Sequence, residues 1–313
     1  ILDKEIEDEQ YFIFICEADP VKAADGSKYI DYTSPVTHEM ANPAYGESIQ
    51  PQELLEASLQ ALNEPQLRKD FFAKSLNVFT SQLDTYFDMA MVRASDEKYN
   101  WTLEELAKLP VTWYGGADLS KMYDLTGTAL HGSYQGVDIA ITHAFMPVTA
   151  AHTKAEEDGI PFFWWQEMGW LTLCNSNVIE YEDPVQWFMK MKSMGFRIKW
   201  VGYDRRYSRE FVLKMKKAGF RMRDQMQRYV EKTEAFRSIE NQIKEQKFYY
   251  LHNRAYEYCI ENVKAIEDSD DFIRFQKVQP TQRIDLFDAD VIACKQMLID
   301  QEKSRNAAAW LDS

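Results

Sequence analysis

The apolar residues change from a helical to an alternating spacing near residue 110, and that switch limits the fold more than any other feature of the sequence. Ahead of it, 52–62 sets Leu55, Leu59 and Leu62 on one helical face, and 66–79 does the same with Leu67, Phe71, Phe72 and Leu76. Thr102 and Glu105 have the spacing of a capping box that opens a short helix before Pro110. Beyond it, 111–117, 126–132 and 137–145 read as three strands, the last two joined by the turn Ser133-Tyr134-Gln135-Gly136. A helix from Asp183-Pro184 to Gly195, a strand over 196–203, a helix from Ser208 to Gly219 and a strand over 220–226 follow. A last helix over 284–301 completes a mixed α/β sheet flanked by helices.

Upstream, 11–17 reads as a buried strand and 18–46 as a polar, turn-rich stretch. The organisation expected is therefore a mainly helical region over 1–110, a sheet domain over 111–303 and a tail over 304–313. The chain starts at Ile1 without Met or a signal-like segment, so it is expected to be a piece of a longer protein.

Composition removes several classes of function. No run approaches the ~18 apolar residues of a membrane helix. Four dispersed cysteines and five scattered histidines give neither a disulfide framework nor a zinc spacing. There is no G-x-x-x-x-G-K-[ST] loop to cradle a nucleotide phosphate. The net charge of −14 argues against an indiscriminate nucleic-acid binder. Yet 189–228 holds thirteen Lys/Arg against three Asp/Glu, enough to track phosphates locally or simply to solvate helix faces.

Three acids stand out by position. Asp118 ends the first strand of the sheet domain, Asp204 ends the fourth, and Asp285 opens the last helix with Asp288 three residues on. Ligands gather at the carboxyl ends of strands, so these side chains can share one end of the sheet. Taken singly, each is equally an N-cap or turn former. Oxygen-only donors suit Mg²⁺ or Mn²⁺, and two such ions about 3.5–4 Å apart can clamp a phosphodiester. The chemistry indicated is metal-assisted phosphodiester hydrolysis. The aromatic run Phe162–Trp165 reads as core rather than a base-stacking platform, and Met189, Met191 and Met194 read as core filler.

This order of acids resembles the ribonuclease H-like nuclease superfamily. Gly116-Ala117-Asp118-Leu119-Ser120 followed by Asp124-Leu125-Thr126 is similar, more closely, to the nuclease domain of the large terminase subunit of tailed bacteriophages. Ala41-Asn42-Pro43, Leu76-Asn77, Trp165 with Gly169, Gly202-Tyr203-Asp204, Gln227, Asn262, and Arg283-Ile284-Asp285 with Ala289 fall in the family's order. The resemblance implies a ribonuclease H-like fold preceded by the end of an ATPase domain and a helical linker. It implies an endonuclease that cuts concatemeric viral DNA during packaging, with Asp118, Asp204 and Asp285 holding two Mg²⁺ or Mn²⁺ ions and Asp288 as a further catalytic acid. Arg205, Arg206, Lys277 and Arg283 become candidate DNA contacts. Double-stranded DNA, a portal protein and a small terminase subunit are the implied partners, in the cytoplasm of a bacterial host. No ATPase activity is expected from this stretch, nor any membrane association. The expected state is a monomer in isolation and a ring in the motor. A resolvase- or transposase-type nuclease, or a non-catalytic capsid-assembly module, are the competing readings.

Overall fold

A computed structural model describes residues 15–22, 28–78, 85–120, 125–158, 160–175, 181–204, 208–225, 229–267, 273–278 and 282–311. The chain divides into two compact units, Ile1–Tyr86 and Phe87–Ser313.

The first unit contains a small antiparallel pair, β1 (Val21–Lys22) and β2 (Lys28–Tyr29), followed by α1 (Pro35–Ala41), α2 (Pro51–Asn63) and α3 (Pro65–Ser75). Each helix starts at a proline, whose missing N–H is one the first turn leaves unbonded anyway. Their core gathers Leu54, Ala61, Phe71, Phe72 and Leu76. The buried face of α2 is Leu54, Ser58 and Ala61, rotated by one residue from the leucine stripe expected, which leaves Leu59 exposed. Of the strand expected over 11–17, only its end is described, and 15–17 is not in a strand. Asn77 instead donates to Cys16 O (3.0 Å) and Ala41 O (2.8 Å), and Asn42 donates to Ser75 O (2.8 Å).

The second unit opens with α4 (Met89–Asp96) and α5 (Leu103–Lys108), the latter closed by the expected Thr102–Glu105 capping box. Then come β3 (Thr112–Asp118), β4 (Thr126–Tyr134) and β5 (Val137–Pro147). Next are α6 (Val148–Asp158), α7 (Phe162–Glu167), β6 (Leu171–Cys174), α8 (Glu182–Met194), β7 (Arg197–Asp204), α9 (Arg209–Lys217) and β8 (Met222–Gln225). The chain continues through α10 (Tyr229–Lys244), β9 (Phe248–Tyr249), α11 (Arg254–Glu261), β10 (Val263–Glu267) and β11 (Ile273–Lys277) to α12 (Asp285–Leu311). The helix α12 runs through the segment set aside as a tail.

The main sheet has the order β6-β5-β4-β3-β7-β8, with β9 also on β5. β4 runs antiparallel to both β3 and β5, and β7 joins β3 in parallel. The β4–β5 turn is the two residues Gln135 and Gly136, both at positive φ (52° and 82°), as a tight hairpin requires. One face of the sheet packs Trp113, Leu130, Ile141 and Val201 against Trp187, Phe188 and Met191 of α8 and Phe211 and Met215 of α9. α12 covers the other face, and the site lies under its first turn.

Candidate active site

The position of the acids follows from two matching tripeptides. Gly116-Ala117-Asp118 in β3 and Gly202-Tyr203-Asp204 in β7 lie side by side, with Gly116 opposite Gly202 and Ala117 opposite Tyr203. A Cβ on Gly116 would collide with the backbone of Ala289 and Ala293, and one on Gly202 with Ile292 and Gln296. Glycine at both places therefore lets α12 lie directly on the strands. Residues two apart on a strand share a face, so Asp118 and Asp204 point to the α12 side as well. Ala129, Ala289 and Ala293 pack together and keep the approach close.

Asp285 and Asp288 enter from the first turn of α12, where acids suit the positive end of the helix dipole. Asp204 and Asp285 are each 7% exposed. Burial, then the like charges of Asp288 and Asp285 and more weakly of Asp204, push the Asp118 carboxyl well above the usual range, with Lys232 pulling the other way. Asp288, Asp285 and Asp204 thus all act on Asp118, as neighbouring carboxylates do.

A fifth member arrives from α10. The Lys232 ammonium lies 2.5 Å from Asp288 Oδ1 and is 6% exposed. Burial alone would lower its pKa; Asp288, Asp118 and Asp204 outweigh that and raise it. Among the described residues, no three Asp, Glu, His or Cys side chains converge closely enough to hold a metal ion as they stand. The donor chemistry nonetheless suits a hard divalent cation: carboxylate oxygens only, from a group whose mutual repulsion a cation relieves.

The remaining candidates differ in their surroundings. Lys277 is half-buried at the end of β11. Arg283 is 2% exposed and donates to Gln282 O (3.0 Å). Arg205, Arg206, Asp124 and Gln227 lie outside the described residues. Of the aromatic run, Phe162 and Trp165 are core while Phe163 and Trp164 are exposed. Met191 is buried, but Met189 is exposed.

Beneath the site, α12 is anchored by a buried network. His131 Nδ1 is 2.8 Å from Asp290 Oδ1, and the Tyr256 hydroxyl donates to Asp290 Oδ2 at 2.7 Å. Sequence reading missed Lys232 and this network. The signal for Lys232 was present: it occupies the apolar stripe of α10 that continues through Ala235, Phe236, Ile239 and Ile243.

The family described as terminase large subunit, endonuclease domain, matches residues 5–301. The chain belongs to that family. It is 24% identical over 287 residues to Protein YmfN of Escherichia coli (strain K12), covering 87% of this chain and 62% of YmfN. The large terminase of bacteriophage HK97 superposes with a TM-score of 0.60 at 18% identity, over 90% of this chain and 56% of that one. The large terminase nuclease of thermophilic phage G20c aligns over 60% of this chain and 83% of its own at 9% identity, with a TM-score of 0.42. The chain thus spans less than two thirds of YmfN and of the HK97 terminase. It has the mixed, helix-flanked sheet of the ribonuclease H-like terminase nucleases. No described helix is long and apolar enough to cross a membrane.

Proposed function

We propose that this terminase nuclease domain cuts double-stranded viral DNA by divalent-metal-dependent hydrolysis of a phosphodiester. The observation that carries the reading is the register of β3 and β7, which sets Asp118 and Asp204 on the face that α12 covers, with Asp285 and Asp288 in the first turn of that helix. Asp118, Asp204 and Asp285 would hold Mg²⁺ or Mn²⁺, which supplies an activated water and charge stabilisation at the leaving oxygen. The sheet holds two of these acids in fixed register, and α12 brings the third down onto them. Asp118, whose carboxyl burial and the neighbouring acids push up, would hold the cation as the carboxylate. Lys277, with Arg205 and Arg206 directly after Asp204, would steady the scissile strand by its phosphates. Two ions are expected from the acids alone; the ammonium of Lys232 bears on that number below.

Membership of the family supports the biological setting of this reading. The substrate is concatemeric viral DNA in the cytoplasm of the bacterial host. A portal protein, a small terminase subunit and an ATPase region are the partners, with the chain monomeric in isolation and part of a ring in the motor. The test is plasmid cleavage by the purified chain. Nicking and linearisation with Mn²⁺ or Mg²⁺, silence in EDTA and no ATP turnover are expected. Cleavage persisting in chelator overturns the metal assignment, and absence of cleavage with every divalent ion leaves the non-catalytic assembly module as the reading.

A further inference from the structure

Lys232 is placed as a cation that the fold itself supplies to the acid cluster. It stands on the buried stripe of α10, where an ammonium is tolerated only if opposite charges surround it. Asp288 accepts from it at 2.5 Å, and the two side chains are 8% and 13% exposed. Asp118 and Asp204 are its next strongest charge partners, and the Phe275 ring lies 5.5 Å from Nζ. The ammonium is thus enclosed by acids and an aromatic ring. Asp288 is committed to it, and as they stand the acids do not close on a common point.

We propose that Lys232 stands in the place of the second metal ion: it removes Asp288 from the ligand set and leaves Asp118, Asp204 and Asp285 to hold a single divalent cation. The inference rests on the reading above that these acids bind metal. A second divalent ion would have to take its oxygens from Asp288, bringing it against an ammonium in a site that water screens poorly. Desolvation makes the ammonium hard to move, because without Asp288 it would be left buried and unpaired. Lys232 is a positioning residue in this account: it acts through Asp288 and through the number of ions the cluster accepts.

The experiment counts Mn²⁺ bound per 313-residue chain, by calorimetric titration and by electron paramagnetic resonance of free Mn²⁺, without DNA. The wild-type chain binds one ion. Lys232→Met frees Asp288 and binds two; Lys232→Arg keeps the positive charge and binds one. Lys232→Met/Asp288→Asn removes both charges, so it avoids a buried unpaired carboxylate and keeps the test valid if the single variant fails to fold; it binds one ion. Two ions in the wild type, or one in a folded Lys232→Met chain, overturns the inference while leaving the metal-binding acids in place. No ion in the wild type overturns those acids as well, which separates failure of the functional reading from failure of this one.

Discussion

At the scale of single residues, the acid cluster sets like charges beside a buried Asp118. The raised pKa of Asp118 fixes the sign of its effect on the metal-free fold. A carboxyl raised in the folded state contributes stability below its unfolded pKa, and that contribution is lost as pH rises through the folded value. At neutral pH an ionised Asp118 therefore works against the fold. Asp118→Asn is expected to raise the melting temperature measured in EDTA. Asp204→Asn and Asp285→Asn should lower plasmid cleavage by at least about 100-fold, a few kcal/mol of transition-state stabilisation. Mn²⁺ should stabilise these variants less than the wild type. If the structure needed Asp204 or Asp285 as a cap, its loss would instead cost about 0.5–2 kcal/mol of stability. His143 gives an opposite and independent pH dependence. Burial, helped by the charge of Lys190, lowers its pKa from 6.5 to about 4. A histidine lowered in this way stabilises the fold above its unfolded pKa, and that stability is lost as pH falls through the folded value. The melting temperature should fall on acidification between about pH 6.5 and pH 4. His143→Gln, able to keep the bond to Thr172 Oγ1, should flatten that slope when melting is followed against pH. The acids were legible in the sequence because each closes a strand or opens a helix, positions that pattern alone reveals. Lys232 was legible only through the apolar stripe of α10 that it shares with Ala235, Phe236, Ile239 and Ile243, a period that Lys232 and Glu240 themselves interrupt.

At the scale of elements, the site depends on how closely α12 lies on β3 and β7. Gly116 is where this is tightest, since an added Cβ would overlap the α12 backbone at Ala289 and Ala293. Backbone cannot rotate away as a side chain can, so the helix must shift. Gly116→Ala should cost about 1–3 kcal/mol or more in denaturant melts. It should also reduce cleavage in the fraction that stays folded, because Asp285 and Asp288 move with the helix. Wild-type cleavage in a folded Gly116→Ala chain would show that the close approach does not set the site. The hairpin of β4 and β5 and the stop of α8 at Gly195 were readable, because a turn residue and a clean period mark each. α10, α11 and the pair β10–β11 were not. In α10 a lysine and Glu240 interrupt the buried stripe, hiding its period. The offset in α2 has a related cause: Ser58 and Ala61 are small enough to bury against α3, and three leucines drew the expected face to the wrong side.

At the scale of the whole chain, the division into units falls at Tyr86/Phe87, ahead of the boundary drawn near residue 110. The reason is what α4 and α5 bring to the sheet unit. Ser95 Oγ accepts from Phe248 N (2.9 Å) and donates to Phe248 O (2.8 Å). Asp96 Oδ1 accepts from Tyr250 N at 2.7 Å, and Arg93 Nε donates to Glu257 Oε1 at 2.5 Å. The Tyr249 hydroxyl donates to Trp101 O (2.9 Å), and Leu106 is part of the core. Pro110 ends a helix visibly, whereas these bonds join residues about 150 positions apart and leave no local mark in the sequence. The two boundaries make different predictions for shortened chains. A chain of residues 87–313 keeps every one of these contacts and should melt in one cooperative transition, with the cleavage expected of residues 1–313. A chain of residues 111–313 leaves buried Glu257 without Arg93, and the backbone of Phe248 and Tyr250 without its side-chain partners. Each such loss costs about 1–3 kcal/mol, and together they match the whole stability of an ordinary domain. That shorter chain should be unfolded or molten by near-ultraviolet circular dichroism and inactive on plasmid. Cooperative melting of 111–313 would place the boundary back at residue 110 and reduce α4 and α5 to dispensable attachments.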